Sequence, residues 1–129
     1  MLNWSIHGMM GLSLSEIVIY LLVVTHITIV SVTVYLHRFS AHRSLVLNAS
    51  ISHFFRFWLW LTTGQVTREW TAVHRKHHAE CETTEDPHSP VSLGLTTILW
   101  KGVESYKSAI ADQKTLSRYV RGCPDDWLE

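Results

Sequence analysis

One long apolar segment dominates the first third of the chain. Residues 17–36 read IVIYLLVVTHITIVSVTVYL and contain no charged side chain. At a rise of about 1.5 Å per residue, twenty helical residues span about 30 Å, the thickness of a bilayer's hydrocarbon core. The pattern therefore predicts a membrane helix at about residues 12–36. It divides the chain into an N-terminal membrane segment, 1–36, and a following domain, 37–129.

Two other structures compete for this segment. A pair of buried strands is the first, because Val, Ile and Thr are frequent and residues 27–34 partly alternate. No Gly, Pro, Asn or Asp supplies the turn that two strands would need, so the helix is favoured. A cleaved signal peptide fits less well, since the N-terminus has no Lys or Arg and no small-residue cleavage site follows.

The rest of the chain falls into four parts. Residues 45–66 are apolar and aromatic, 68–90 are polar and rich in histidine, 91–111 have the pattern of an amphipathic helix, and 112–129 form a polar tail. The fold class predicted is all-α, with an integral membrane helix followed by interfacial and cytoplasmic helices.

Composition and charge narrow the function. The 129 residues include 11 basic and 11 acidic side chains, so no basic field is available for binding nucleic acid. Two cysteines cannot form the disulfide framework of a small secreted scaffold. All Lys and Arg follow residue 37, and Arg38 and Arg43 come directly after the apolar segment. The positive-inside rule then predicts that the domain after the membrane helix is cytoplasmic.

The nine histidines are the candidate chemistry, because five of them form two clusters. His37 and His42 make an H-x4-H spacing, and His74, His77 and His78 make an H-x2-H-H spacing. On a helix His74, His77 and His78 share one face, which suits the chelation of one metal or a metal pair. His37 and His42 lie about 140° apart on a regular α-helix, so they converge only if the helix ends or bends between them.

Each cluster also has an alternative explanation. The H-x4-H spacing is a weak signal by itself and has structural or incidental origins as alternatives. The second cluster, flanked by Arg75 and Lys76, could be a solvated basic helix face. Sites rich in imidazole suit Fe, Zn or Cu. No H-E-x-x-H pattern occurs, so a zinc protease is not supported.

The two clusters together resemble the first two histidine boxes of the membrane-bound fatty acyl desaturases, the stearoyl-CoA desaturase group and its bacterial relatives. The resemblance rests on His37 to His42, Glu69-Trp70, His74 to His78 and Asp86-Pro87-His88. It implies an oxidoreductase with two iron ions that uses O2 to desaturate a fatty acyl chain, carried on a thioester or a lipid. The implied iron ligands are His37, His42, His74, His77 and His78.

The resemblance also implies supporting parts. His88 and Glu69 are candidates for hydrogen-bond support of the ligands, whereas Glu80, Glu82, Glu85 and Asp86 look like a solvated acidic loop. Electrons would come from an external donor of the ferredoxin or cytochrome b5 type, since no Gly-rich dinucleotide loop is present. If both boxes form one site, residues 45–66 cannot cross the membrane once, so that stretch should lie along the interface or re-enter it.

Two departures from the family pattern qualify these expectations. The family's third histidine box, H-N-x-H-H, is absent from the 129 residues. We therefore expect the chain to be a fragment that does not catalyse desaturation alone. The positions before the second box, charged in animal acyl-CoA desaturases, are Ala72 and Val73, which leaves contact with CoA open. The alternatives are a hydroxylase of the same superfamily and a non-catalytic metal-binding membrane protein.

Overall fold

The computed structural model describes residues 11–129, so the first ten residues of the predicted N-terminal segment lie outside it. Over the described residues all regular secondary structure is helical and no strand occurs, which confirms the all-α prediction. Six α-helices and one π-helix follow one another in this order: α1 Leu14–Ser31, the π-helix Val32–Ala41, α2 Ala49–Thr63, α3 Thr67–Ala79, α4 Pro90–Leu93, α5 Leu95–Ala111 and α6 Gln113–Tyr119.

Helix α1 begins at a capping box. The Ser13 side chain accepts from the Glu16 N–H, and the Glu16 carboxylate accepts from the Ser13 N–H at 2.8 Å. Downstream, α1 is apolar on all sides, and most of its large side chains are exposed to the surroundings. Leu14–Ala41 is, within the described residues, the one helix long and apolar enough to cross a membrane. A helix this exposed and this apolar fits lipid better than a soluble core.

The apolar helix does not end at residue 36 as predicted. It continues without a break as the π-helix to Ala41 and carries the first histidine box with it. In a π-helix each N–H donates to the carbonyl five residues earlier, and the His42 N–H donates to the His37 carbonyl at 3.0 Å. The helix ends where Arg43 adopts a left-handed conformation, with φ of 52°.

Helix α2 turns back along α1. Asn48 caps its start, and Gly64 ends it at a φ of 65° that a side chain would strain. The indole Nε1–H of Trp58 donates to the Thr28 hydroxyl at 3.0 Å, so α2 reaches far up α1. Leu59 completes the small buried core, which it shares with Tyr35 and Leu36.

Helix α3 then returns to the end of α1 from which α2 departed. The hydroxyls of Ser40 and Thr71 lie 2.7 Å apart in a buried hydrogen bond that joins the π-helix to α3. Helix α2 leads the chain away from the end of the π-helix, and α3 brings it back to that end. The two histidine boxes therefore lie at the same end of the apolar helix. This arrangement agrees with the expectation that no single crossing separates the boxes.

The C-terminal residues hold the start of α3. Glu129 accepts from the Arg68 N–H at 2.9 Å and from the Thr67 hydroxyl, which satisfies donors that Val66, the N-cap residue, cannot satisfy. Arg56 of α2 is 2% exposed and donates to both Asp126 and Glu129. The tail that the sequence shows as merely polar is therefore a tertiary element that joins α2 to α3.

Arg75, inside the second box, holds the other end of α3 in place. Its guanidinium donates to four backbone carbonyls: Ser40 at 2.7 Å, Ala41 at 3.4 Å, Tyr119 at 2.7 Å and Arg121 at 2.9 Å. The Ser40 and Ala41 carbonyls belong to the last turn of the π-helix, which lacks partners further along the helix. Arg75 thus joins the first box to the second, and both to the end of α6 and the residues that follow it.

The ion pair between Arg56 and Asp126 predicts how the stability of the protein depends on pH. The hydrogen bond from Arg56 lowers the pKa of Asp126 from its ordinary value of 3.8 to about 2. The stabilisation from this pair is therefore complete above pH 3.8 and is lost as the pH falls to about 2. We expect the Asp126 carboxyl carbon to titrate near pH 2 by NMR in detergent, and near its ordinary value in Arg56→Met. A wild-type midpoint near 3.8 would show that the pair does not form.

The Arg75 contacts predict a loss of stability on substitution. Arg75→Gln removes the charged donor from four carbonyls, and we expect it to lower the free energy of unfolding by about 2–4 kcal/mol in a denaturant titration. Arg75→Lys should recover part of this loss, because an ammonium cannot reproduce the planar set of donors. Lys76→Gln is the matched control, since the polar partners of Lys76 among residues 11–129 are the Thr115 hydroxyl and Asp112 at 3.9 Å. An equal loss in both Gln variants would rule out a special role for Arg75.

Candidate metal centre

The π-helix solves the geometric problem of the first box. Five residues of α-helix would point His37 and His42 about 140° apart, but the i to i+5 hydrogen bond stacks one residue above the other. Their Nε2 atoms are 2.9 Å apart, and their ring centroids are 4.5 Å apart. The π-helix ends at Ala41 and His42 is its C-cap residue, so the two imidazoles converge across the last π-helical turn, where the helix ends.

The second box meets the first at this point. His74 and His78 occupy successive turns of α3, with their Nε2 atoms 3.1 Å apart. The ring of His37 lies 5.0 Å from that of His74, and the ring of His42 lies 4.6 Å from that of His78. All four residues offer a ligand nitrogen, and these nitrogens lie within 4.8 Å of one another.

The spacing of these nitrogens fits a shared metal ion. Imidazole nitrogens bind first-row metals at about 2.1 Å, so neighbouring ligands on one ion lie about 3.0–3.4 Å apart. The two Nε2 pairs, at 2.9 and 3.1 Å, are close to this value. Such a set of imidazoles suits iron, zinc or copper rather than calcium or magnesium.

The electrostatics of the centre favour neutral imidazoles. Burial, followed by the charges of the neighbouring His78, His37, His42 and His77, lowers the pKa of His74 to about 4. His74 therefore keeps a free nitrogen lone pair at neutral pH, as a metal ligand must. The Trp70 ring stacks on His74 at a centroid distance of 4.5 Å and an angle of 17°, which fixes the plane of the imidazole.

His77 lies beside the group of four rather than within it. Its Nδ1 is 2.8 and 3.0 Å from the two carboxylate oxygens of Asp86. His88 stacks against its ring at a centroid distance of 4.2 Å. His77, Asp86 and His88 form a second group whose potential ligand atoms also lie within 4.8 Å of one another. The five predicted ligands therefore divide into four that converge and one with a different environment.

Asp86 does not belong to a solvated loop, as its place in the acidic run suggested. It is 2% exposed, and it also accepts from the backbone N–H groups of Glu82 and His88. Burial alone would raise the pKa of Asp86, but the hydrogen bonds from His77 and the two backbone groups outweigh it and lower the pKa. Asp86 is thus an ionised acceptor next to the predicted ligands.

The two proposed supporting residues have different positions. His88 contacts His77. The pKa of His88 is lowered, mainly by burial and secondly by the charge of the nearby His77. Glu69 lines a cavity between α3 and α6, with Gln113 and Leu116 among its neighbours, and is not one of the residues that meet at the histidines. The position of Glu69 therefore provides no evidence that it supports the predicted iron ligands.

The sequence does not assign a role at the site to four residues around it: Trp70, Arg75, Asp86 and Tyr106. Trp70 precedes His74 by four residues, a helical spacing that places the two side chains together. The turn sequence Asp86-Pro87-His88 is visible in the sequence, but nothing in it shows that the carboxylate is buried. Tyr106 lines a cavity of about 130 Å³ beside His74 and His88, and only the fold brings it there.

Comparisons with known proteins agree with this site. A model of the fatty acid desaturase family matches residues 15–121. The chain is 38% identical over 61 residues to the probable chloroplastic lipid desaturase ADS3.2 of Arabidopsis thaliana, covering 47% of the chain and 17% of that protein. It is 33% identical over 70 residues to Delta-9 acyl-lipid desaturase 1 of the same plant, covering 54% and 23%. No solved structure matches.

The chain spans about a fifth of the length of these two curated relatives. The matched residues 15–121 nevertheless include the apolar helix, both histidine boxes and the loop that carries Asp86. A match over most of the chain, joined to imidazoles that meet at one point, leads to one conclusion: this chain belongs to the fatty acid desaturase family.

Proposed function

We propose that the chain carries the first two histidine boxes of an O2-dependent diiron enzyme that introduces a double bond into a fatty acyl chain. The observation that carries the proposal is the convergence of four imidazoles, from two segments more than thirty residues apart, within 4.8 Å. Family membership supports desaturase-type oxidoreductase chemistry and a lipid substrate. The diiron assignment follows from the resemblance and from the fit of the donor set.

In this proposal His37, His42, His74, His77 and His78 hold the iron. When bound, the iron supplies the activation of O2 for the removal of two hydrogens from the acyl chain. The protein keeps His74 neutral by burial and holds its ring against Trp70. Arg75 keeps the two boxes in register through the carbonyls of the π-helix.

The substrate proposed is an acyl group on a lipid rather than on CoA. Ala72 is 0% exposed and Val73 is 3% exposed, so neither position presents a side chain to a charged headgroup. Both curated relatives carry lipid or acyl-lipid desaturase in their names. Membership in the stearoyl-CoA type and a bacterial-like origin stay predictions from the histidine boxes.

The proposed topology places the metal centre at the cytoplasmic face. Arg38 and Arg43 are exposed near the end of the π-helix, whereas Glu16, at the start of α1, is the one charged residue before residue 37. This asymmetry follows the positive-inside rule. An external carrier of the ferredoxin or cytochrome b5 type would deliver electrons at this face.

Iron binding can be tested one ligand at a time. We expect the 129-residue protein, purified in detergent and loaded with Fe²⁺ without oxygen, to retain iron that elemental analysis detects. Replacing His37, His42, His74 or His78 with Ala should weaken binding at least about tenfold, because each removes one of few ligands. His53→Ala is the control, since His53 lies exposed on α2. Loss of iron in the control alone would contradict the assignment.

Turnover gives a second test. Two irons with about five or six ligands each need more than five imidazoles, so we expect the 129-residue chain to form no unsaturated product. The assay supplies lipid substrate, O2, ferredoxin and its reductase, and mass spectrometry detects the acyl products. Alkene formation by this chain alone would overturn the expected inactivity. Hydroxylated acyl chains would instead support the hydroxylase alternative.

A further inference from the structure

Asp86 is the most completely engaged carboxylate beside the metal centre. One of its oxygens lies 2.8 Å from His77 Nδ1 and accepts from the His88 N–H at 3.1 Å. The other lies 3.0 Å from His77 Nδ1 and accepts from the Glu82 N–H at 3.0 Å. The side chain of Asp86 has no exposed surface. Three groups, the His77 Nδ1 and the backbone N–H groups of Glu82 and His88, therefore fix the buried carboxylate beside the His77 ring.

This contact determines where the proton of His77 lies. An ionised carboxylate only accepts hydrogen bonds, so the Nδ1 that faces it must carry the proton. In a neutral imidazole the other nitrogen, Nε2, then has the free lone pair. The stacked ring of His88, at an interplanar angle of 27°, limits rotation of His77 about its side-chain bonds. Both the tautomer and the plane of His77 are set by residues outside the two boxes.

We propose that Asp86 is a positioning residue that fixes His77 as an Nε2 metal ligand, distinct from the four imidazoles that already converge. The inference rests on the proposed metal-binding function and adds an acidic residue that the histidine pattern does not contain. His74 and His78 point toward the first box, with Nε2 atoms in direct contact. His77, one helical turn from His74, is turned toward the loop after α3 instead. The five imidazoles therefore offer two unequal metal positions.

A purely structural role for Asp86 would make different predictions. Its bonds to the two backbone N–H groups close the loop between α3 and α4, and a residue with only that function would act on stability alone. A residue that acts through His77 should change metal binding only while His77 is present. The two roles are therefore separable by a double-mutant cycle.

The first experiment needs no substitution. NMR of the ¹⁵N-histidine-labelled, metal-free 129-residue protein in detergent reports the tautomer of each imidazole. We expect His77 in the Nδ1–H form at neutral pH. A His77 that carries its proton on Nε2 would overturn the proposal, whatever the other histidines bind.

The second experiment measures Co²⁺, a spectroscopic substitute for Fe²⁺, by its visible absorption. Asp86→Asn can present either oxygen or NH2 to Nδ1, so the tautomer is no longer enforced, and we expect a 10–100-fold loss of affinity at the His77 position. Glu85→Gln, an exposed neighbour with the same change of charge, should stay within about twofold of the wild type. In a His77→Ala background, Asp86→Asn should have no further effect on Co²⁺ binding.

The remaining outcomes distinguish the positioning role of Asp86 from the proposed metal-binding function. An equal loss from Asp86→Asn with and without His77, accompanied by a lower thermal midpoint, would overturn the positioning role. A protein with the Nδ1–H tautomer that binds no Co²⁺ would contradict the proposed metal function, while supporting control of His77 by Asp86. The NMR measurement on the wild type decides the matter if Asp86→Asn does not fold.

Discussion

The histidine site depends on one guanidinium that forms no hydrogen bond with any of its imidazoles. Arg75 donates to carbonyls at the end of the π-helix and to those of Tyr119, the last residue of α6, and Arg121. It lies between His74 and the other histidines of its box, yet its charge is directed to the backbone. The two boxes are far apart in sequence, so holding them together costs conformational entropy of the chain between them. Some contact must offset that cost. The buried Ser40–Thr71 hydrogen bond adds a second link at the same place.

The second constraint operates at the other end of α3. A helix that carries three imidazoles must not slide or rotate, and its first turn is held by a carboxylate from the far end of the chain. Glu129 satisfies donors of Thr67 and Arg68 while it pairs with Arg56 at 2.9 Å. Removing one partner of a buried charge pair leaves the other charge unpaired, so this contact disfavours other positions of α3. Residues without a role in metal binding thereby set the precision of the site.

The sequence predicts the parts of this structure that obey a simple period. The charge-free segment identifies the apolar helix, and the spacing of His74 and His78 places them on one face of α3. The sequence does not predict the π-helix. Arguments from periodicity assume 100° per residue, and at that angle the H-x4-H spacing points the side chains of His37 and His42 in different directions. Nor does it predict the burial of Asp86 or the donors around Arg75, since these are contacts between segments that no local pattern records.

The π-helix also connects the histidine site to the exposed apolar surface of α1. An α-helix aligns residues four apart, whereas the i to i+5 bond between His42 and His37 aligns residues five apart. The first box therefore contains one residue more than a regular helix would need to bring its two imidazoles together. Because α1 and the π-helix are continuous from Leu14 to Ala41, the direction of the two imidazoles and the direction of the exposed apolar side chains of α1 are fixed relative to each other.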